Sequence, residues 1–286
     1  MWLSKFLSSN VLYIVWFVIY FTLAWALLGG SLNAFIIVAV VYAVSISIAL
    51  SPLGEILLRL LQNCREPQTE EERAYLLPMF EEVYEVAQEL TPGLNQGIKI
   101  YIMDEMTVNA FAIGRQTVAV TQGAIETFTE DELRGILAHE LGHMNYGHTK
   151  ALLLSVIGNL FFSVIIWLFK LVLSLIQFVA DIFADGYSGF IFRVIIFIVR
   201  MTVDLITFIF INLSQIILAI NSRTNEIQAD KFAYDIGYGR ELIDSMYILQ
   251  KISMNAKMSL AEQAMASHPH TAYRIGKLEE LENRDI

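Results

Sequence analysis

Four apolar stretches decide what architectures are open to this chain. They run roughly from Val11 to Leu28, Asn33 to Leu50, Ala151 to Val172 and Val194 to Ile220. Each is near the length of about 20 residues that a helix needs to cross a bilayer. Only Gly29-Gly30-Ser31-Leu32 separates the first two, so they read as a membrane hairpin. A cleaved signal peptide would be a single shorter segment ending in a small-residue site, so cleavage is not expected. With 56% of its 286 residues hydrophobic, the chain is too apolar for an ordinary soluble protein.

The third and fourth stretches are joined by a mixed segment, Leu173 to Phe192, which holds Gln177, Asp181, Asp185 and Gly186. It reads as the end of one span, a short outer loop and the start of the next. Arg193, Arg200 and Asp204 fall in or near the fourth span, where charge is expensive. The spacing predicts an Arg200–Asp204 pair within one helix, with Arg193 at the interface and Lys170 snorkelling. Lys5, Arg59, Arg65, Lys150, Arg223 and Lys231 flank one side of the spans, whereas the Gly29–Leu32 turn is uncharged. The loop near Asp185 has no Lys or Arg. Both termini and the polar segments are therefore expected in the cytoplasm, with the chain multi-pass in the cell (inner or plasma) membrane.

The expected organisation is a membrane hairpin over 1–50, a soluble part over 51–149, a second membrane pair over 150–220 and a soluble C-terminal part over 221–286. A net charge of −10 and the lack of a basic, aromatic-interleaved patch argue against nucleic acid as a partner. The single Cys64 can form no intrachain disulfide. Thr69 to Leu90 has helical spacing of apolar residues, and Ile98 to Met103 and Val118 to Thr121 read as strands of a small sheet.

Within this framework lies His139-Glu140-Leu141-Gly142-His143. Residues four apart on a helix lie about 40° apart around its axis, so both imidazoles can reach one metal ion. Glu140 projects beside that ion and can take a proton from a water bound to it. The helix is well signalled: Thr129 is a natural N-cap, Glu132 completes a capping box, and Phe128 and Leu133 occupy the hydrophobic-staple positions. Further on, Glu226 and Asp230 share one helical face. Glu226 is the candidate third zinc ligand, and Asp230 is suited to accept the outer N–H of a ligating His. His148, nine residues beyond His139, lies about 180° around a continuing helix and is expected to point away from the metal.

The chain resembles the HtpX-type integral-membrane zinc metallopeptidases, which are related more distantly to the CAAX prenyl proteases. The resemblance rests on Asn109-Ala110-Phe111-Ala112 with Gly114, Val118-Ala119-Val120-Thr121 and His139-Glu140-Leu141-Gly142-His143 followed by Gly147-His148. It continues through Glu226 with Ala229-Asp230, and Ser267-His268-Pro269 with Arg274-Ile275. It implies a mainly α membrane protein, with four transmembrane helices and a zincin-like α+β cytoplasmic metalloprotease domain carrying a small sheet. It also implies one zinc ion per chain, a substrate-pairing edge at Asn109, Ala110 and Phe111, and weight for His268 and Arg274. Either of those last two could donate to the oxyanion of a tetrahedral intermediate. The implied activity is cleavage of misfolded or damaged membrane proteins, or of unfolded polypeptides, at the cytoplasmic bilayer face. Site-selective processing of the prenyl-protease type shares the same chemistry, and a non-catalytic adaptor with structural zinc is the reading from another class. Structural zinc usually has four protein ligands, often Cys, which a chain with one Cys and a retained Glu140 does not favour.

Overall fold

The computed structural model describes residues 11–183, 186–255 and 271–284. It is mainly helical with one small sheet. The first apolar stretches form α1 (Val11–Leu27) and α2 (Leu32–Ala49), which turn back on each other through Gly29 and Gly30, both at positive φ. Ser31 caps α2 by accepting from the Ala34 N–H at 3.2 Å. Among the described residues, Leu32–Ala49 is the one helix that is long and apolar enough to cross a membrane by length and composition. A shorter apolar run, Phe17–Ala26, lies in α1.

A short amphipathic helix, α3 (Pro52–Leu61), leads from the hairpin into the polar half. Its buried Glu55 carboxylate accepts from the Arg115 and Gln116 N–H groups at 3.0 Å and from the Thr117 hydroxyl at 2.6 Å. These bonds satisfy a charge that burial would otherwise make costly. They tie the end of the α1–α2 hairpin to a turn of the sheet.

That sheet has four strands: β1 (Cys64–Arg65), β2 (Lys99–Met103), β3 (Ala110–Ile113) and β4 (Thr117–Thr121). Their order is β1-β2-β4-β3. β2 and β4 run parallel, while β3 folds back antiparallel on β4 with Ala110 opposite Val120. β3 is therefore the last strand on its side. Thr69 and Glu72 close a capping box at the start of α4 (Glu70–Leu90), which covers the sheet with Leu76, Phe80 and Val83. After the short α5 (Gln122–Thr127), a second capping box starts α6 (Glu130–Tyr146), with the Thr129 N–H donating to Glu132 at 2.8 Å. Phe128 and Leu133 are both buried in the same core.

Two long helices follow, α7 (His148–Phe183) and α8 (Gly186–Asp235), and then α9 (Gly239–Asn255) and α10 (Thr271–Glu282). The segment from Leu173 continues as α7 to Phe183 rather than looping out, and its Ser174 and Asp181 find partners on α8. The expected Arg200–Asp204 pair is replaced by bonds across the two helices. Asp204 accepts from Lys170, Arg200 donates to the Ser174 hydroxyl at 2.6 Å, and Arg193 meets Asp181 at 2.7 Å. An antiparallel neighbour offers each long cationic side chain a partner at its own level, and that wins over an exposed pair along one helix. α8 then runs through residue 220 without a break and packs against α6 in the polar half.

Candidate metal centre

Three separated pieces of chain meet at one buried point. α6 supplies His139, Glu140 and His143; the last turns of α8 supply Glu226 and Asp230; α10 supplies Arg274. The His139 and His143 Nε2 atoms lie 3.1 Å apart, with their rings perpendicular. Glu226 faces both, at 3.4 Å from His139 Nε2 and 3.3 Å from His143 Nε2. Ligand atoms of all three residues lie within 4.8 Å of one another. Two imidazole nitrogens and a carboxylate oxygen, buried and converging from one side, are a donor set that could hold a metal ion.

Close helix approach makes this convergence possible. A Cβ on Gly142 would sit 2.9 Å from the Ala229 Cα and 3.1 Å from the Phe232 Cβ. A glycine between the two histidines therefore lets α8 lie almost against the α6 backbone, three residues past Glu226.

Asp230 takes the back of His139, accepting from Nδ1 at 2.9 Å. In the neutral imidazole, that proton on Nδ1 leaves Nε2 as a lone pair facing His143 and Glu226. Asp230 is itself held by Arg274 through two bonds, 2.7 Å from Nε and 2.6 Å from Nη2, while Nη1 of the same side chain meets Glu226 at 2.7 Å. Burial and the Arg274 charge both push the His139 imidazole down, yet its bonds to Asp230 and Glu226 prevail and hold it up at about 9. Burial raises the Asp230 carboxyl, but the Arg274 charge and its hydrogen bonds prevail, keeping it below its usual range. Three carboxylates, Glu140, Glu226 and Asp230, stand against one guanidinium in this buried cluster. That balance, and the pull on a proton at His139, suits a divalent cation.

Each of the three Arg274 nitrogens is engaged by a carboxylate or lies beside His139, so it braces the side chains of Glu226 and Asp230. His148 differs from the sequence expectation. Gly147 adopts a left-handed conformation, φ +77°, and donates back to the His143 and Met144 carbonyls, ending α6. The chain restarts as α7 at a new angle, so the helical-wheel argument fails. His148 comes back beside the site, its Nδ1 3.0 Å from His143 Nδ1 and its Nε2 3.1 Å from Gln228 Oε1. Gly147 carried a readable signal, since a glycine just past a helical run with a histidine, His143, in its last turn marks a C-terminal cap.

Asn109 immediately precedes β3, and Ala110 and Phe111 open it, so all three lie on the last strand of the sheet or at its start. The Asn109 N–H donates to the Thr121 hydroxyl at 3.0 Å. Thr149 at the head of α7 donates to the Gly114 carbonyl at 2.6 Å, fixing the β3–β4 turn against the helix that follows the two-histidine motif. His268, with Pro269 and His270, lies outside the described residues.

Comparison with known proteins agrees with the resemblance of the motifs. The model for "Peptidase family M48" matches residues 77–282, which takes in all three pieces of the site. A protease HtpX homolog of Campylobacter concisus is 44% identical over 69 residues, covering 22% of this chain and 24% of that protein. Protease HtpX of Shewanella loihica is 29% identical over 205 residues, covering 64% of this chain and 68% of its own length. The Shewanella oneidensis protein is 29% identical over 202 residues, covering 64% and 66%. The crystal structure of S. mikatae Ste24p aligns with a TM-score of 0.44 at 18% identity, over 93% of this chain and 66% of that one.

Proposed function

Because this chain belongs to peptidase family M48, we propose that it is a membrane-embedded, zinc-dependent endopeptidase that cuts misfolded or damaged membrane proteins at the cytoplasmic bilayer face. The observation that carries the reading is the convergence of His139, His143 and Glu226 within 4.8 Å, with Glu140 buried on the same helix. Three protein ligands leave a coordination position for water or substrate, the arrangement of a catalytic zinc site. When bound, zinc supplies Lewis acidity, drawing the pKa of water in that position toward about 7 and polarising a carbonyl.

The protein's own groups do the rest. Asp230 orients His139, and Arg274 holds Asp230 and Glu226 in register. Glu140 takes the proton from the attacking water and delivers it to the leaving amine. A substrate strand lies along β3, where main-chain pairing holds an unfolded peptide extended without reading much of its sequence. His268 remains a candidate donor to the oxyanion. The membrane setting is supported by the exposed large apolar side chains that cover α2, α7 and α8, among them Ile37, Trp167, Phe178, Phe197 and Phe208. The reading includes four spans with both termini and the catalytic half cytoplasmic, an orientation that the Lys/Arg distribution supports.

Glu140→Gln tests the mechanism. It keeps the ligand set and removes the base, so the purified variant should bind zinc as wild type does. Hydrolysis of casein or an unfolded membrane protein should fall by about 10²–10⁴-fold. Unchanged turnover in that variant discards the mechanism.

A further inference from the structure

We propose that His148 and Gln228 form a positioning relay that fixes the tautomer and ring orientation of His143, as Asp230 does for His139. The inference rests on the reading of His139, His143 and Glu226 as metal ligands. It assigns roles to two residues that the ligand set and the proposed mechanism leave unused.

The proton directions follow from the geometry. His143 Nε2 faces His139 Nε2 and Glu226, so it must present a lone pair to a cation. A neutral imidazole then carries its hydrogen on Nδ1, which lies 3.0 Å from His148 Nδ1. Two N–H groups cannot point at each other across that distance, so His148 Nδ1 accepts. A neutral His148 consequently bears its proton on Nε2, where the Gln228 carbonyl oxygen waits at 3.1 Å. The chain of bonds is self-consistent in one sense only, from His143 through His148 to Gln228.

The relay is also built into the fold. His148 is buried, its ring stacked on Tyr146 at 5.7 Å between centroids and edge-on to His143 at 5.2 Å. It reaches this place because Gly147 turns the backbone between α6 and α7. Gln228 lies on α8 between Glu226 and Asp230, so one helix supplies a ligand, the support of one histidine and the end of the other's relay. A cluster with an acidic partner behind each ligand would add further negative charge. A neutral His–Gln pair orients His143 without doing so.

The test uses the full-length chain in detergent. In zinc-loaded wild type with ¹⁵N-labelled histidine, NMR should show His143 protonated at Nδ1 and His148 neutral and protonated at Nε2. A proton on His148 Nδ1 overturns the relay without any substitution being made. His148→Leu should raise the zinc Kd about 10-fold or more, measured by competition with a chromophoric chelator. It should also alter the visible d–d spectrum of the Co²⁺-substituted protein. His148→Asn puts an amide oxygen where Nδ1 was and should restore both readouts to near wild type. Gln228→Met, which leaves both imidazoles in place, should weaken zinc in the same direction. Equal zinc affinity and spectrum in His148→Leu, or an Asn variant no better than Leu, overturns the proposal. A wild-type chain that binds no zinc overturns the metal reading itself, which separates the two failures.

Discussion

Gly142 and Arg274 show how single side chains hold three chain segments at one point. At Gly142 the α8 backbone passes so close that a methyl group would meet Ala229 at 2.9–3.0 Å. Backbone cannot swing aside as the end of a flexible side chain can. Gly142→Ala should therefore force α8 outward, costing about 1–3 kcal/mol in overpacking and lowering zinc occupancy by moving Glu226 off the histidine pair. Thermal unfolding and metal content check both parts, and a variant with wild-type zinc would show that the contact relaxes elsewhere. Arg274 acts through charge. Its removal as Arg274→Met leaves Asp230 and Glu226 buried without their cation, which should destabilise the metal-free protein by about 3–5 kcal/mol. Added zinc should return part of that loss, because the ion supplies positive charge beside the same carboxylates. A melting temperature insensitive to the substitution would rule out this bracing role.

At the scale of elements, the pairing of α7 with α8 depends on partners at matched levels. Lys170 with Asp204, Ser174 with Arg200 and Asp181 with Arg193 step along the two antiparallel helices. Asp204→Asn should weaken the pair by about 0.6–1.7 kcal/mol in detergent unfolding. A double-mutant cycle of Lys170 with Asp204 should show coupling, whereas Arg200 and Asp204 should be additive within about 0.5 kcal/mol. The reverse result would restore the intrahelical pair. This is where sequence reading reached its limit. Apolar runs, capping boxes and i,i+4 spacing are local, so α1, α2 and α4 were legible to within a residue or two, as were β2, β4 and the start of α6, though not its end at Tyr146. The His139, His143 and Glu226 grouping was legible because few residue types suit a zinc site. The partner of Asp204 depends on how two helices face each other, which no spacing along one of them encodes. His148 was misjudged for a similar reason: one backbone turn at Gly147 outweighs any helical wheel drawn through it. Gln228 and Gly142 acquire roles only from what lies across an interhelical contact.

For the molecule as a whole, the site is the seam of its polar half. The sheet and α6 come from one side of the second apolar pair, while the end of α8, α9 and α10 come from the other. They share a core through Leu137, Leu141, Phe232, Ile243 and Leu278. An ion bridging α6 and α8 that binds only the folded state stabilises it by about 2.7 kcal/mol at a free concentration 100 times its Kd. Chelation should accordingly lower the melting temperature of the wild-type protein, and added zinc should restore it. A temperature unmoved by chelator would mean that no bound ion joins the two helices.

The unbroken run of α8 also limits how this molecule can be shortened. Glu226 and Asp230 sit near the end of a 50-residue helix whose earlier turns are apolar. Excising everything before Thr224 would leave a raw helix start beside Glu226, with up to four amide N–H groups lacking acceptors. A trimmed, water-soluble version would need a new cap there and a tether reaching back to Gly147, because the greasy rod and the acidic arm are one piece.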